Sequence, residues 1–256
     1  MNIDNFNLDM DFIEEFKKIR DTDAMNFLQR DYYLNNKYVF QFWTDDNSLT
    51  ENRIRNLENF ESTTGMKNIL IHPSNLDQFV LPFHPLHKTY PYLSAVHKSD
   101  YLRAYFGFFY GGGYMDIKEC WGNWESSWHD LITCTDKNVF MNSHPNPDMG
   151  CVPCSLSQDV KDNYAKIPSV CIFLSKQFNP IMYDWLIEIE KILDERAENI
   201  TNNPMRNPYE YGGKYSICWN EIGARLLHRI YYEKYLKTSS SLLTMPFLNR
   251  NEKNYR

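Results

Sequence analysis

Apolar positions along the chain change their period, and each change marks an element. Phe12, Phe16 and Ile19 recur at helical spacing among charges, which predicts an accessory helical segment over residues 1–35. Tyr38-Val39-Phe40-Gln41-Phe42-Trp43 is a β-prone run between Asn35-Asn36 and Asp45-Asp46-Asn47 and reads as a buried first strand. Ser48-Leu49-Thr50-Glu51 has the form of a capping box, so a helix is expected from about Thr50 to a stop at Gly65. Asn68 to His72 reads as a second strand closed by Pro73. After a loop rich in Pro and His, a helix is expected from about Tyr92 to Tyr110. Leu102, Tyr105, Phe106 and Phe109 give it one apolar face, with Asp100, Arg103 and Gly107 on another side. Gly111-Gly112-Gly113 ends that helix, and Tyr114-Met115-Asp116-Ile117 reads as the next strand. Asn138 to Met141 and Ser169 to Leu174 look like further strands, Pro180 to Ala197 like a helix with Pro near its start, and Asn202 to Gly213 like a loop or flap. A final helix is expected from about Trp219, with Ile222, Leu226 and Ile230 on its stripe.

Strands alternating with helices place the chain in the α/β class. Its 256 residues are enough for one large domain, divided here into residues 1–35, a half at 36–140 and a second half with the C-terminal helix at 141–256. A net charge of -6 argues against a sequence-independent nucleic-acid binder. The N-terminal residues lack a basic start followed by an apolar run, and no stretch approaches the roughly 20 apolar residues of a membrane span. A soluble, cytoplasmic protein is expected. Aromatic residues make up 16% of the chain, enough to build stacking platforms for sugars and bases as well as a core. Cys151-Val152-Pro153-Cys154 is a CxxC near His144, but no second ligand pair stands at matched spacing, so ordinary reduced thiols are favoured over a zinc or redox pair.

Candidate chemistry collects around residue 116. Asp116 and Lys118, two apart at a strand end, are expected to point to one side while Ile117 points into the sheet. The carboxyl ends of strands are where α/β sheets bind ligands. Asp100 and Arg103 share a face of the preceding helix, a spacing that fits a solvated ion pair as well as a cleft. The glycines alone could be a turn, and Asp116 alone a strand-end cap. Their order carries more meaning than any member.

The block His97-Lys98-Ser99-Asp100-Tyr101-Leu102-Arg103 to Gly112-Gly113-Tyr114-Met115-Asp116 resembles the DXD sugar-binding region of glycosyltransferase family 32 and related capsular-polysaccharide-synthesis transferases. Val39 to Trp43 is similar to the family's opening strand, and Ile217-Cys218-Trp219-Asn220-Glu221-Ile222 to a late W-x-E-I segment. The likeness is dense over residues 97 to 124 and thin elsewhere. It implies a GT-A-type, Rossmann-like fold with a mixed central sheet and extra helices. It also implies a UDP- or GDP-sugar donor, a glycan or other hydroxyl acceptor, and retention of configuration. By the same resemblance, Trp43 would flank the base, Asp100 and Arg103 would hold sugar hydroxyls, and Asp116 would contact ribose or sugar, with Gly112 and Gly113 in the donor-binding segment. Trp219, Asn220 and Glu221 would close on the diphosphate. A core role for Trp43 and a packed helix start for Trp219 are the structural alternatives.

The departure from the pattern is Lys118, which stands where the second Asp of DXD normally ligates Mn or Mg. A protonated ammonium has no lone pair for a metal. Either Lys118 itself neutralises the departing diphosphate, with Asp116 and Lys118 as the catalytic pair, or the chain is an inactive sugar-nucleotide-binding remnant. Asp116 and Glu221 are the remaining candidate metal ligands.

Overall fold

A five-stranded mixed sheet organises the chain, in the order β2-β1-β3-β5-β4. The computed structural model describes residues 36–120, 122–133, 158, 162–163, 167–205 and 214–236, and the backbone of 140–143. Its elements are β1 (Tyr38–Phe42), α1 (Glu51–Thr64), β2 (Lys67–Ile71), α2 (Ala95–Phe109), β3 (Gly112–Met115), α3 (Glu125–Thr133), β4 (Phe140–Ser143), β5 (Pro168–Ser175), α4 (Pro180–Glu195), α5 (Ala197–Asn202) and α6 (Ala224–Ile230). A π-helical turn, Tyr231–Tyr235, follows α6. Residues 1–35, the Cys151/Cys154 pair and most of the loop ending at Gly213 lie outside the described residues. The α/β class and the mixed sheet expected from the sequence are the architecture observed. Among the described residues no helix is long and apolar enough to cross a membrane.

β1 pairs in parallel with β2 on one side and β3 on the other, while β5 runs antiparallel to both β3 and β4. All five residues of β1 are buried, because both faces of the sheet are covered. Tyr38, Phe40 and Phe42 point to one face with Tyr114 and Phe173, where α2, α4 and α6 pack. Val39 points to the other with Met115, Ile172 and Leu174, against Phe60, Trp124 and Trp128. The period of two along each strand thus builds two cores from one run of residues. Burying each large side chain stabilises the fold by about 1.5–3 kcal/mol.

Several boundaries differ from expectation, each for a local reason. The capping box at Ser48 does not form: α1 is capped at Thr50, whose side chain makes no capping bond. Gly65 ends α1 as expected, in a left-handed conformation (φ 73°). α2 is buried on nearly every side rather than along one stripe. Sheet covers one flank, and α4 comes close enough on another that a methyl on Gly107 would lie 2.9 Å from Met182 Sδ. The helix expected to Ala197 stops at Glu195, and Arg196 instead turns its guanidinium onto Ser216 O and Glu221. The last helix begins at Ala224, not Trp219, because residues 219–223 form a turn tied down by Trp185 Nε1 donating to Ile222 O at 2.8 Å. α3 was not anticipated, although Trp124, Trp128 and Leu131 stand at i, i+4 and i+7 and are all buried.

Topology marks one crevice of the sheet. From β1 the chain crosses through α1 to β2 on one side, then returns past β1 to β3 on the other. The carboxyl ends of β1 and β3 therefore flank the switch point of the sheet, the crevice in which open α/β sheets bind ligands.

Candidate functional site

The three glycines set the height of the chain at this crevice. Gly111 sits at φ 64°, and a Cβ there would lie 2.5 Å from the backbone N of Gln177, so no other residue fits the close approach. Gly112 opens β3, and a Cβ on Gly113 would strike Val39 Cγ2 at 2.8 Å and Leu174 Cδ2 at 3.0 Å. Gly113 thus lets β3 sit tightly between β1 and β5, and the strand delivers Asp116 to the sheet's carboxyl edge.

Beyond Met115 the strand ends, and Asp116 to Lys118 turn. Lys118 N donates to Asp116 O at 2.7 Å. Ile117 still enters the core beside Leu49, Leu57 and Leu70, as expected, but a turn rather than strand pleating puts it there. The same turn brings Lys118 Nζ to 2.8 Å from Asp116 Oδ2. On the facing side of α2, Arg103 Nη1 donates to Asp100 Oδ1 at 2.8 Å and Nη2 to Asp116 Oδ1 at 2.9 Å. Carboxylate, guanidinium, carboxylate and ammonium thus form one chain, with Arg103 also 4.8 Å from the centre of the Tyr114 ring. The helical pair is no solvated surface pair: the Asp100 and Arg103 side chains are 4% and 12% exposed.

Three further residues complete the network. Tyr114 OH donates to Asp116 Oδ1 at 2.7 Å, and burial keeps that hydroxyl protonated as a donor. Cys171 O accepts from Asp116 N at 2.9 Å, and Gln41 Nε2 reaches Asp116 O at 3.4 Å. Gln41 was legible as the one polar residue of an apolar strand. Tyr114 and Cys171 gave no such signal, since each looks like an ordinary strand residue. Arg103 Nε and Gln41 Oε1 are buried without a partner.

The two carboxyls titrate apart. Burial pushes Asp100 up to about 6, against the opposing pull of Arg103. Burial would raise Asp116 too, but Lys118 and Arg103, with hydrogen bonds from Lys118 and Tyr114, overcome it and hold that carboxyl well below the usual range. Asp116 is therefore the fixed anion of the pair, and Asp100 the one that changes charge near neutrality.

These donors do not fit a divalent metal. Asp116 gives one oxygen to Arg103 and Tyr114 and the other to the Lys118 ammonium. Glu221, the other candidate ligand, is gripped by Arg196 Nη2 and Nη1 at 2.6 and 3.1 Å and accepts from Cys218 N at 2.9 Å. Among the described residues no group of three or more His, Cys, Asp or Glu side chains gathers to hold an ion.

The remaining candidates line the rim. Trp43, half-buried, follows β1, donates Nε1–H to Asn47 O at 2.8 Å and packs on the cluster holding Ile117. The Arg53 guanidinium lies 4.7 Å from its ring centre. Toward β2 a cleft of about 370 Å³ opens, with Thr44, His72, Tyr90, Lys98 and Leu102 in its wall. Opposite, Trp219 is 50% exposed on the turn that ends at Gly223. A Cβ at Gly223 would lie 2.5 Å from Asp100 Oδ2, so this turn abuts the ion network directly.

No protein-family profile and no curated protein matches the chain. Among solved structures it is similar to one described as PaToxG Glycosyltransferase, at 12% identity and a TM-score of 0.45, over 87% of this chain and 80% of that one.

Proposed function

We propose that this protein is a glycosyltransferase that moves a sugar from a UDP- or GDP-linked donor to a hydroxyl acceptor such as a glycan. In this reading Lys118, rather than a metal ion, neutralises the departing diphosphate. The observation that carries it is the ion chain Asp100, Arg103, Asp116 and Lys118 at the sheet's switch point. Carboxylates and a guanidinium match the hydroxyls of a sugar, and an ammonium matches a diphosphate. The nucleoside end lies over Trp43 toward the cleft at the end of β2, and the turn bearing Trp219, Asn220 and Glu221 covers the diphosphate. The sequence resemblance to family 32 and capsular-polysaccharide transferases supports the same substrate class and a GT-A-type fold.

For a retaining transfer, the bond between the sugar's anomeric carbon and the phosphate oxygen breaks through an oxocarbenium-like state. The acceptor oxygen bonds to that carbon from the same face, and its proton passes to the departing phosphate oxygen. Negative charge grows on the diphosphate as the bond lengthens, so a cation placed there lowers the barrier. Lys118 has a side chain 27% exposed and is able to exchange Asp116 for the phosphate.

A second reading is a binding protein without turnover. It is favoured by the engagement of both Asp116 oxygens. A donor-hydrolysis and transfer screen with UDP-, GDP- and dTDP-sugars separates the two. We expect turnover unaffected by EDTA and lowered about 10²-fold in Lys118→Ala, the scale of losing one preorganised charge contact. Asp116→Ala loses donor binding. Turnover abolished by EDTA and restored by manganese overturns the metal-free mechanism, and donor binding without turnover supports the second reading.

A further inference from the structure

His97 is 2% exposed and lies three residues before Asp100, yet it touches none of the four charged groups of the site. Besides Ser94 at the start of its own helix, its partners lie on the far segment of the chain. Nε2 stands 3.1 Å from Cys218 O and 3.2 Å from Trp219 O. Carbonyl oxygens only accept, so Nε2 carries the hydrogen. Burial lowers the imidazole below its ordinary pKa and keeps it neutral, so Nδ1 is an acceptor, with the hydroxyls of Tyr215 at 2.8 Å and Ser94 at 3.0 Å beside it. The Tyr215 ring stacks on the imidazole with centroids 5.6 Å apart and planes at 20°. Ser94, the cap of α2, accepts from His97 N and fixes the first turn that carries the imidazole.

The turn held this way is the one that meets Asp100. From Trp219 it runs to Gly223, whose missing Cβ is what lets the backbone lie against the Asp100 carboxylate. Arg196 grips the same turn through Glu221, and Trp185 through Ile222. Those two contacts tie the turn to α4 and to the junction between α4 and α5. His97 ties it by hydrogen bonds to the helix that bears Asp100 and Arg103, about one turn upstream of Asp100.

We propose that His97 is a positioning residue, whose Nε2–H holds the Cys218 and Trp219 carbonyls and so seats the 219–223 turn against Asp100, orienting that carboxylate for the donor sugar. The proposal rests on the donor-site reading above and adds to it a residue outside the ion chain. Two substitutions divide the imidazole's functions. A glutamine places an amide N–H near the Nε2 position and keeps the hold on the carbonyls. An asparagine reaches only the Nδ1 position, keeping a partner for Tyr215 and releasing the turn.

The test has two arms. In the first, amide hydrogen exchange of donor-free protein is followed by mass spectrometry over residues 214–223. Protection is expected to fall in His97→Asn and to persist in His97→Gln. In the second, donor hydrolysis is measured with UDP- and GDP-sugars. His97→Asn should raise KM for the donor about ten-fold with a smaller change in kcat, the cost of one lost orienting contact. His97→Gln should stay near wild type, and Gly223→Ala, which leaves His97 in place, should raise the same KM. If His97→Asn fails to fold, Gly223→Ala and His97→Gln carry both arms. Unchanged protection in His97→Asn, equal loss in both His97 variants, or an unchanged KM in Gly223→Ala overturns the proposal. A wild type that keeps its protection but binds no nucleotide sugar overturns the donor reading instead, and with it the functional half of the proposal.

Discussion

Asp100 is ionised at neutral pH inside an environment that disfavours its charge. Its carboxyl titrates at about 6 in the fold, against about 4 in an unfolded chain. A carboxyl raised in this way favours the folded state when protonated, and that contribution is lost as pH rises from about 4 through about 6. Asp100→Asn should therefore stabilise the protein at pH 7.5, on the order of 3 kcal/mol for a shift of about two units, and by much less at pH 4.5. Denaturant melts at the two pH values test it: an equal gain at both counts against the assignment. Activity should move the other way. The carboxylate form is the one that accepts hydroxyl hydrogens, so turnover should fall on the acid side with an apparent pKa near 6, and Asp100→Asn should lose most activity at every pH. On the proposed function, Asp100 is a residue kept at a cost in stability, a trade common at active sites.

At the scale of elements, the link from α2 to β3 decides whether the site exists. α2 supplies Asp100 and Arg103, β3 supplies Tyr114 and leads into Asp116, and only Tyr110 and Gly111 join the two. Gly111→Ala would combine a positive φ with a Cβ 2.5 Å from backbone that cannot move without shifting the start of α4. A loss of more than about 3 kcal/mol is expected. Gly107→Ala in the same helix meets only the Met182 side chain, which can change rotamer, and gains helix propensity. Its net cost should be about 1 kcal/mol or less. Equal destabilisation by the two substitutions in thermal or denaturant unfolding would show that the turn has no special role.

For the molecule as a whole, the proposed donor would bridge pieces far apart in sequence: the ends of β1 and β3, one face of α2, and the turn before α6. Such a ligand binds the fold and not the unfolded chain, so it stabilises by mass action, about 2.7 kcal/mol at a hundred times its Kd. The matching nucleotide sugar should raise the unfolding temperature of the wild type measurably and leave Asp116→Ala unmoved. A shift of equal size in both proteins would place the ligand elsewhere.

Much of this was legible in the sequence because its determinants are local. Period and punctuation gave the α/β class, the strands at Tyr38 and Ser169, the stop at Gly65 and the turn at Gly111. The spacing of Asp100, Arg103, Asp116 and Lys118 marked the residues that the fold gathers into one ion chain. What the sequence left open depends on neighbours brought by the chain's return. Tertiary packing buried α2 on nearly every side, gave Tyr114 and Cys171 to Asp116, and took Glu221 for Arg196. It also set Gly223 against Asp100 and His97 under the Trp219 turn, across more than 115 positions. Periodicity reports which side of an element avoids water. It does not report which charge, glycine or carbonyl arrives from the other end of the chain to meet it, and here those arrivals define the site.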